Sequence, residues 1–354
     1  MKVFHCDHCA HLLFFENTEC VSCRHKLAYL PDLADLGSLE PAGDGLWRSP
    51  LPAAQGRSYR LCRNYSEMDI CNWAIPSEDS NPLCRSCRLT RLIPDVSLPG
   101  ARLAWYRLEV AKRRLVFTLE ELALPLGPGP ATDDPGLAFE FKADSSDPNA
   151  PRVLTGHSAG VITVNIAEAD DAERERRRAA VREPYRTLLG HVRHESGHYY
   201  WSRLIKDQAS LEAFRRLFGD ERADYGAALN THYEQGPPAD WPSRYASAYA
   251  SSHPWEDWAE SWAHYLHMFD ALETATACGL SLKPRRTDEP ALASVPTVAG
   301  QRLPPFDLVI DRWFPLTYAL NNLNRGLGLP DGYPFVLSTP AIEKLRFVHD
   351  VIRG

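Results

Sequence analysis

His194-Glu195-Ser196-Gly197-His198 is the stretch on which the reading of this chain turns. Two histidines four apart on a helix fall about 40° from each other, so both imidazoles can reach one ion. The glutamate between them stands where it can take a proton from a metal-bound water. Leu188 and Leu189 precede the motif, and Tyr199, Tyr200, Trp201, Leu204 and Ile205 follow it, the apolar content a buried helix needs. The competing reading is a surface helix that carries two histidines by chance.

Composition narrows the class. The 354 residues suffice for two or three domains, and 44% hydrophobic with 24% charged residues is ordinary for a soluble globular chain. A net charge of −7 and a pI near 6.0 argue against a broad nucleic-acid footprint. No run approaches the length of a membrane helix, so no membrane partner is expected. Met1 leads straight into cysteines and histidines without an apolar leader, which gives the expectation of a cytoplasmic protein with reduced thiols.

Eight of the nine cysteines lie in the first 87 residues. Cys6-x2-Cys9 and Cys20-x2-Cys23 are two knuckles, each able to offer two thiolates of one tight turn, and together they complete a four-cysteine zinc site. Iron in a rubredoxin-like site is the lesser option. His5, His8, His11 and His25 could replace a thiolate but read as solvated neighbours. Cys62, Cys71, Cys84 and Cys87 form the second group, of which only Cys84-x2-Cys87 is a regular knuckle. A second four-thiolate zinc site is expected there, against buried free cysteines with one incidental knuckle. Four thiolates leave no open position, so both sites are structural. Cys278 stands alone and reads as core packing.

Residues 1–30 are thus a first zinc ribbon, residues 31–52 a Pro- and Gly-rich linker, residues 53–97 a second ribbon, and residues 101–354 a further domain. A helix is predicted from Trp105 to Leu124, strands at Leu137–Phe141 and Val161–Ile166, and a charged helix at 167–180 whose arginines face solvent. Pro184 suits the first turn of the motif helix. Residues 207–240 read as two short helices broken at Gly219 and Gly236, and a helix begins near Pro254. Residues 281–305 are loop-like, Pro315–Arg325 is helical, and Ser338 or Thr339 caps the last helix.

A catalytic zinc needs a third protein ligand. Trp255-Glu256-Asp257-Trp258-Ala259-Glu260-Ser261-Trp262-Ala263-His264 is the best segment, because Glu256 and Glu260 share a face, as do Glu260 and His264. Like charges at that spacing repel unless a cation lies opposite. One carboxylate can bind metal while the other takes the free N–H of a ligand histidine. Glu260 as ligand with His264 behind it is the physically allowed alternative. The tryptophans read as core.

With these residues in view, the chain resembles the bacterial zinc-binding metallopeptidases that carry N-terminal zinc ribbons, a group within the gluzincins. The likeness covers the knuckles, the His-Glu-x-x-His helix, the Glu-Asp-Trp-Ala-Glu helix and the segment Asn321 to Arg325. The active-site part is also similar to the anthrax lethal factor-type metallopeptidases, whose tyrosine and second glutamate match Tyr249 and Glu260 here. The resemblance implies an α+β fold: tandem four-cysteine ribbons, then a mostly helical zincin-like domain with a small sheet. It implies one catalytic and two structural zinc ions, with His194, His198 and Glu256 as catalytic ligands. Glu260 then stands behind them, and Tyr249 is a phenol for the oxyanion, with Tyr245 its competitor. Glu195 is the general base and then the proton donor to the leaving amine, in hydrolysis of a peptide bond. The strand Val161–Ile166 corresponds to an edge strand on which a protein or peptide substrate pairs. The ribbons would recruit a protein partner. Two other readings compete: a nucleic-acid-associated ribbon protein with a protease arm, and a non-catalytic zinc scaffold.

Overall fold

The computed structural model describes residues 2–128, 136–145, 147, 149–180, 186–286, 288–289, 292–293 and 303–354. Pro184 and much of the loop segment 281–305 lie outside the described residues. The elements are β1 (Phe4–His5), β2 (Leu12–Leu13), β3 (Lys26–Leu30), β4 (Asp35–Gly43), β5 (Leu46–Arg48), β6 (Tyr59–Leu61), α1 (Arg63–Ser66), β7 (Ala74–Pro76), β8 (Thr90–Leu92) and α2 (Ala101–Glu121). There follow β9 (Ala138–Lys142), β10 (Gly156–Ser158), β11 (Val161–Asn165), α3 (Asp171–Ala180), α4 (Leu188–Leu204), α5 (Gln208–Phe218), α6 (Tyr225–Gln235), α7 (Pro254–Ala277), α8 (Phe306–Gly326) and α9 (Thr339–Arg353). The α+β class expected from the resemblance holds: a cysteine-rich N-terminal region precedes a largely helical domain. No helix among the described residues is long and apolar enough to cross a membrane.

The linker reading of 31–52 is corrected. β4 and β5 are inner strands of an antiparallel sheet in the order β3-β4-β5-β6-β7, which runs from one cysteine group to the other. Pro41 and Gly43 fall at β4's irregular end, where the register shifts between them, so they bend a strand rather than end one.

α2 is the spine of the molecule. Trp105, Leu108, Leu115 and Leu119 recur at helical spacing and enter the core of the C-terminal domain. Phe117, two positions from Leu115 and so about 200° round the helix, enters the other core instead, with its ring 5.4 Å from Phe15 and 5.9 Å from Tyr29. The same helix carries the fully buried pair Lys112–Glu109, 2.8 Å apart, and Glu109 accepts a hydrogen bond from Thr90 of β8 at 2.8 Å. β8 pairs in parallel with β9, in a sheet ordered β10-β11-β9-β8. Thr90–Leu92, assigned from sequence to the second ribbon, therefore completes the sheet of the following domain.

That sheet corrects the edge-strand reading as well. β11 is flanked by β10 on one side and β9 on the other, so Val161–Asn165 is internal. β10, antiparallel to β11, is one edge of the sheet, β8 being the other, and it packs beside α4. Its three residues, Gly-His-Ser, carry no β-branched or large apolar side chain, so no alternating pattern marked it.

α4 and α7 pack most extensively of all the helices. A Cβ at Gly197 would lie 2.9 Å from the Ala259 backbone and 3.1 Å from Trp262 Cβ, so only glycine allows this approach. Trp258 and Trp262, buried as expected, hydrogen-bond back to α4 at Gly197 O (2.8 Å) and Ser196 Oγ (3.1 Å). Two expectations fail nearby. Cys278 is exposed, because it follows the last turn of α7. The helix thought to begin at Pro315 begins at Phe306, with Pro315 buried inside it. Packing of Phe306, Val309 and Trp313 on the core outweighs the hydrogen bond the proline removes. Gly197→Ala should lower stability by about 1–3 kcal/mol through this forced contact, read as a lower denaturation midpoint in urea with an unchanged slope.

Candidate active site

Three of the side chains singled out from sequence come together where α4 meets the first turn of α7. One ligand atom each from His194, His198 and Glu256 all lie within 4.8 Å of one another. Nε2 of His194 is 2.9 Å from Oε2 of Glu256, and Nε2 of His198 is 3.5 Å from its Oε1. Glu256 is 1% exposed, near the N-terminus of α7, where the helix dipole favours a carboxylate.

Glu260 takes the other side of His194, with Oε1 2.7 Å from Nδ1. Its second oxygen accepts a hydrogen bond from Ser247 Oγ at 2.6 Å. With Nδ1 donating to Glu260, Nε2 is the His194 nitrogen that faces Glu256 and His198, and its lone pair would be the one offered to a cation bound there. Glu260 is not in the convergent group; it stands behind it. His264 is not brought there either. Its Nδ1 lies 2.7 Å from Tyr333 Oη and its ring packs 4.4 Å from Phe335.

The charges of the cluster are strongly coupled to one another. Burial alone would depress the pKa of His194, but hydrogen bonds to Glu256 and Glu260 push it well above the usual imidazole range. Burial would likewise raise Glu256, yet His194, His198 and Tyr225 hold it at about 2. The buried Glu256 carboxylate and the partly exposed Glu260 carboxylate thus both draw on positive charge at His194. Two nitrogens and one carboxylate oxygen are a donor set that suits zinc with a position left open.

Glu195 lies beside the cluster, buried, with Oε1 3.3 Å from Nε2 of His191. Burial would raise its pKa, but His191 and the nearby histidines pull it below the usual carboxylate range. The Tyr249 ring lies 5.9 Å from that of His194, and burial keeps its phenol protonated. Tyr245, its competitor, instead covers the Lys344 ammonium at 4.1 Å.

Several partners were not singled out from sequence. Tyr225 of α6 donates to Glu256 Oε1 at 2.6 Å. His157 of β10 sits 6.3 Å from the His198 ring, with its pKa lowered by burial to about 4. Glu168 accepts from or pairs with His191 Nδ1 at 2.6 Å. Only His191 had a signal, since it precedes Glu195 by four residues and shares its helical face. The others reach the site from distant segments with no shared spacing.

Both cysteine groups also assemble. Cys6 and Cys23, and Cys9 and Cys20, approach to 3.6 Å between sulfurs, and Cys71 and Cys84 to 3.7 Å. A tetrahedral zinc with 2.3 Å bonds sets sulfurs about 3.8 Å apart, whereas a disulfide needs about 2.0 Å. The irregular second group is explained by the β6–β7 pairing, which brings Cys62 and Cys71 together from either end of α1. Backbone N–H groups of Trp73, Cys84 and Cys87 donate to these sulfurs at 3.3–3.4 Å. His8 and His25 stack 3.8 Å apart beside Cys23.

Comparison with known proteins agrees with this division. Residues 101–351 match the family described as "Putative zinc-binding metallo-peptidase", and residues 3–98 match a zinc-ribbon domain. Uncharacterised proteins of Mycobacterium bovis and of two Mycobacterium tuberculosis strains are each 42% identical over 353 residues, 99% of this chain and 95% of the relative. No solved structure matches.

Replacing Cys62 and Cys84 together by serine should remove about one zinc equivalent per chain, because two hydroxyls cannot substitute for two thiolates. Elemental analysis and a lowered melting temperature check this; unchanged zinc content would contradict it.

Proposed function

The chain belongs to the zinc-binding metallo-peptidase family, and on that premise we propose that it hydrolyses peptide bonds as a gluzincin-type enzyme. In this reading His194, His198 and Glu256 hold the catalytic zinc, and the two cysteine tetrads hold structural ones, three ions in all. The observation that carries the proposal is the convergence of those three donors with the ionised Glu195 carboxylate alongside. A purely structural site would have no use for that carboxylate.

Zinc held there supplies a Lewis acid that polarises a carbonyl oxygen and acidifies water. Glu195 accepts the proton of the attacking water and returns it to the leaving amine. Tyr249, protonated through burial, donates to the carbonyl oxygen as negative charge develops. Glu260 holds the His194 ring in orientation, and Tyr225 holds Glu256. An extended protein or peptide substrate fits the outer edge of β10, where main-chain groups have no strand partner among the described residues. The ribbons serve a protein partner rather than nucleic acid, in keeping with the −7 net charge. Eight cysteines gathered into two metal-binding tetrads accord with a cytoplasmic setting.

Glu195→Gln is the deciding variant. It should lower cleavage of a casein-type substrate by about 10²–10⁴-fold while zinc content stays normal. Equal cleavage by variant and wild type would remove Glu195 from the chemistry, and no cleavage by either would favour the scaffold reading.

A further inference from the structure

Glu195 has a built support that the proposed reaction does not by itself require. His191, one turn earlier on α4, places Nε2 3.3 Å from Glu195 Oε1, and its Nδ1 lies 2.6 Å from Glu168 Oε2. Glu168 sits in the short turn after β11 and is 1% exposed. Thr155, just before β10, donates its hydroxyl to Glu168 Oε1 at 2.7 Å, and the Arg186 guanidinium stands 3.7 Å from the same oxygen. Neither His191 nor Glu168 belongs to any group of side chains able to hold a metal among the described residues.

A glutamate has three side-chain torsions, and this one sits a single residue from a candidate zinc ligand. Left free, its carboxylate could swing to the cation itself and cease to be available as a base. We propose that Glu168 and His191 are positioning residues for Glu195: His191, anchored by Glu168, fixes one carboxylate oxygen and leaves the other for proton transfer. The inference rests on the reading of Glu195 as general base.

Charge supports the geometry. Burial would depress His191, but Glu168 and Glu195 raise it to about 9. Glu168, which burial would raise, is held at about 2, chiefly by His191. The ring is therefore an imidazolium near neutrality and donates from both nitrogens, one to each carboxylate. Because Thr155 and Glu168 flank the β10–β11 hairpin, the same contacts tie the edge strand to the base. A peptide seated on β10 and the group that deprotonates the attacking water are then held in one frame.

The test uses the full zinc-loaded chain with ¹⁵N-labelled histidine. The His191 imidazole protons, assigned by their loss in His191→Gln, should be slow to exchange and should shift in both Glu168→Gln and Glu195→Gln. In parallel, His191→Ala should lower kcat by about 100-fold with KM nearly unchanged and zinc retained, and His191→Gln, whose amide can still donate to Glu195, should recover part of that loss. His191 protons unmoved by Glu195→Gln, or wild-type kcat in His191→Ala, would overturn the proposal. If His191→Ala fails to fold, the response of the protons to Glu168→Gln and Glu195→Gln decides. Absence of cleavage by the wild type would defeat the peptidase reading instead, and the proton shifts would still decide whether the dyad grips Glu195.

Discussion

Two carboxylates on one face of α7, Glu256 buried and Glu260 partly exposed, close on a single imidazole of α4. Glu256 and Glu260 would repel each other at that spacing, and burial makes each harder to keep ionised. His194 lies between them, bonded to both, and His198 adds a second nitrogen on the Glu256 side. The placing of opposite charges is thus written into the packing of two helices. Everything that brings those helices close serves it: the missing side chain at Gly197, and the two indoles that reach back to α4.

Around this centre the supporting contacts come from segments far apart in the chain. α6 has no buried residue, yet its Tyr225 reaches Glu256. Ser247 reaches Glu260, and the turn after β11 reaches His191. Ligand orientation depends on such outer partners almost as much as on the ligands. The rigid helices set where the donors stand, and side chains from other segments set how each is aimed.

The ribbons are joined to the peptidase domain through α2 rather than hung from it. Phe117 packs into the aromatic cluster of Phe15 and Tyr29, while Arg113, buried beside Cys71, Cys84 and Cys87, donates to the Ile70 carbonyl at 2.6 Å. With a divalent ion bound by the four thiolates, a guanidinium there would offset the excess negative charge of the sulfurs. One helix thus belongs to both cores, and a change in the second cysteine site has a direct route to the domain that carries the histidines.

Spacing by itself determined a good deal. Histidines four apart, carboxylates four apart and cysteine knuckles three apart are local periodicities, and each survives in the structure because it states which side chains share a face or a turn. The long helices were marked by the same means, α7 from Pro254 among them. What spacing cannot state is which face meets which. That Glu256 rather than Glu260 joins the two histidines, that His264 turns to Tyr333, and that Tyr245 goes to Lys344 follow from how α7 lies on α4, α8 and α9. The strands were hardest to see where they are shortest: Thr90–Leu92 and Gly156–Ser158 gain their stability from a neighbouring strand and not from their own residues. Glu168 and Tyr225 carried no signal at all, since a residue's place beside a site twenty or thirty positions away is decided only by the closure of the chain.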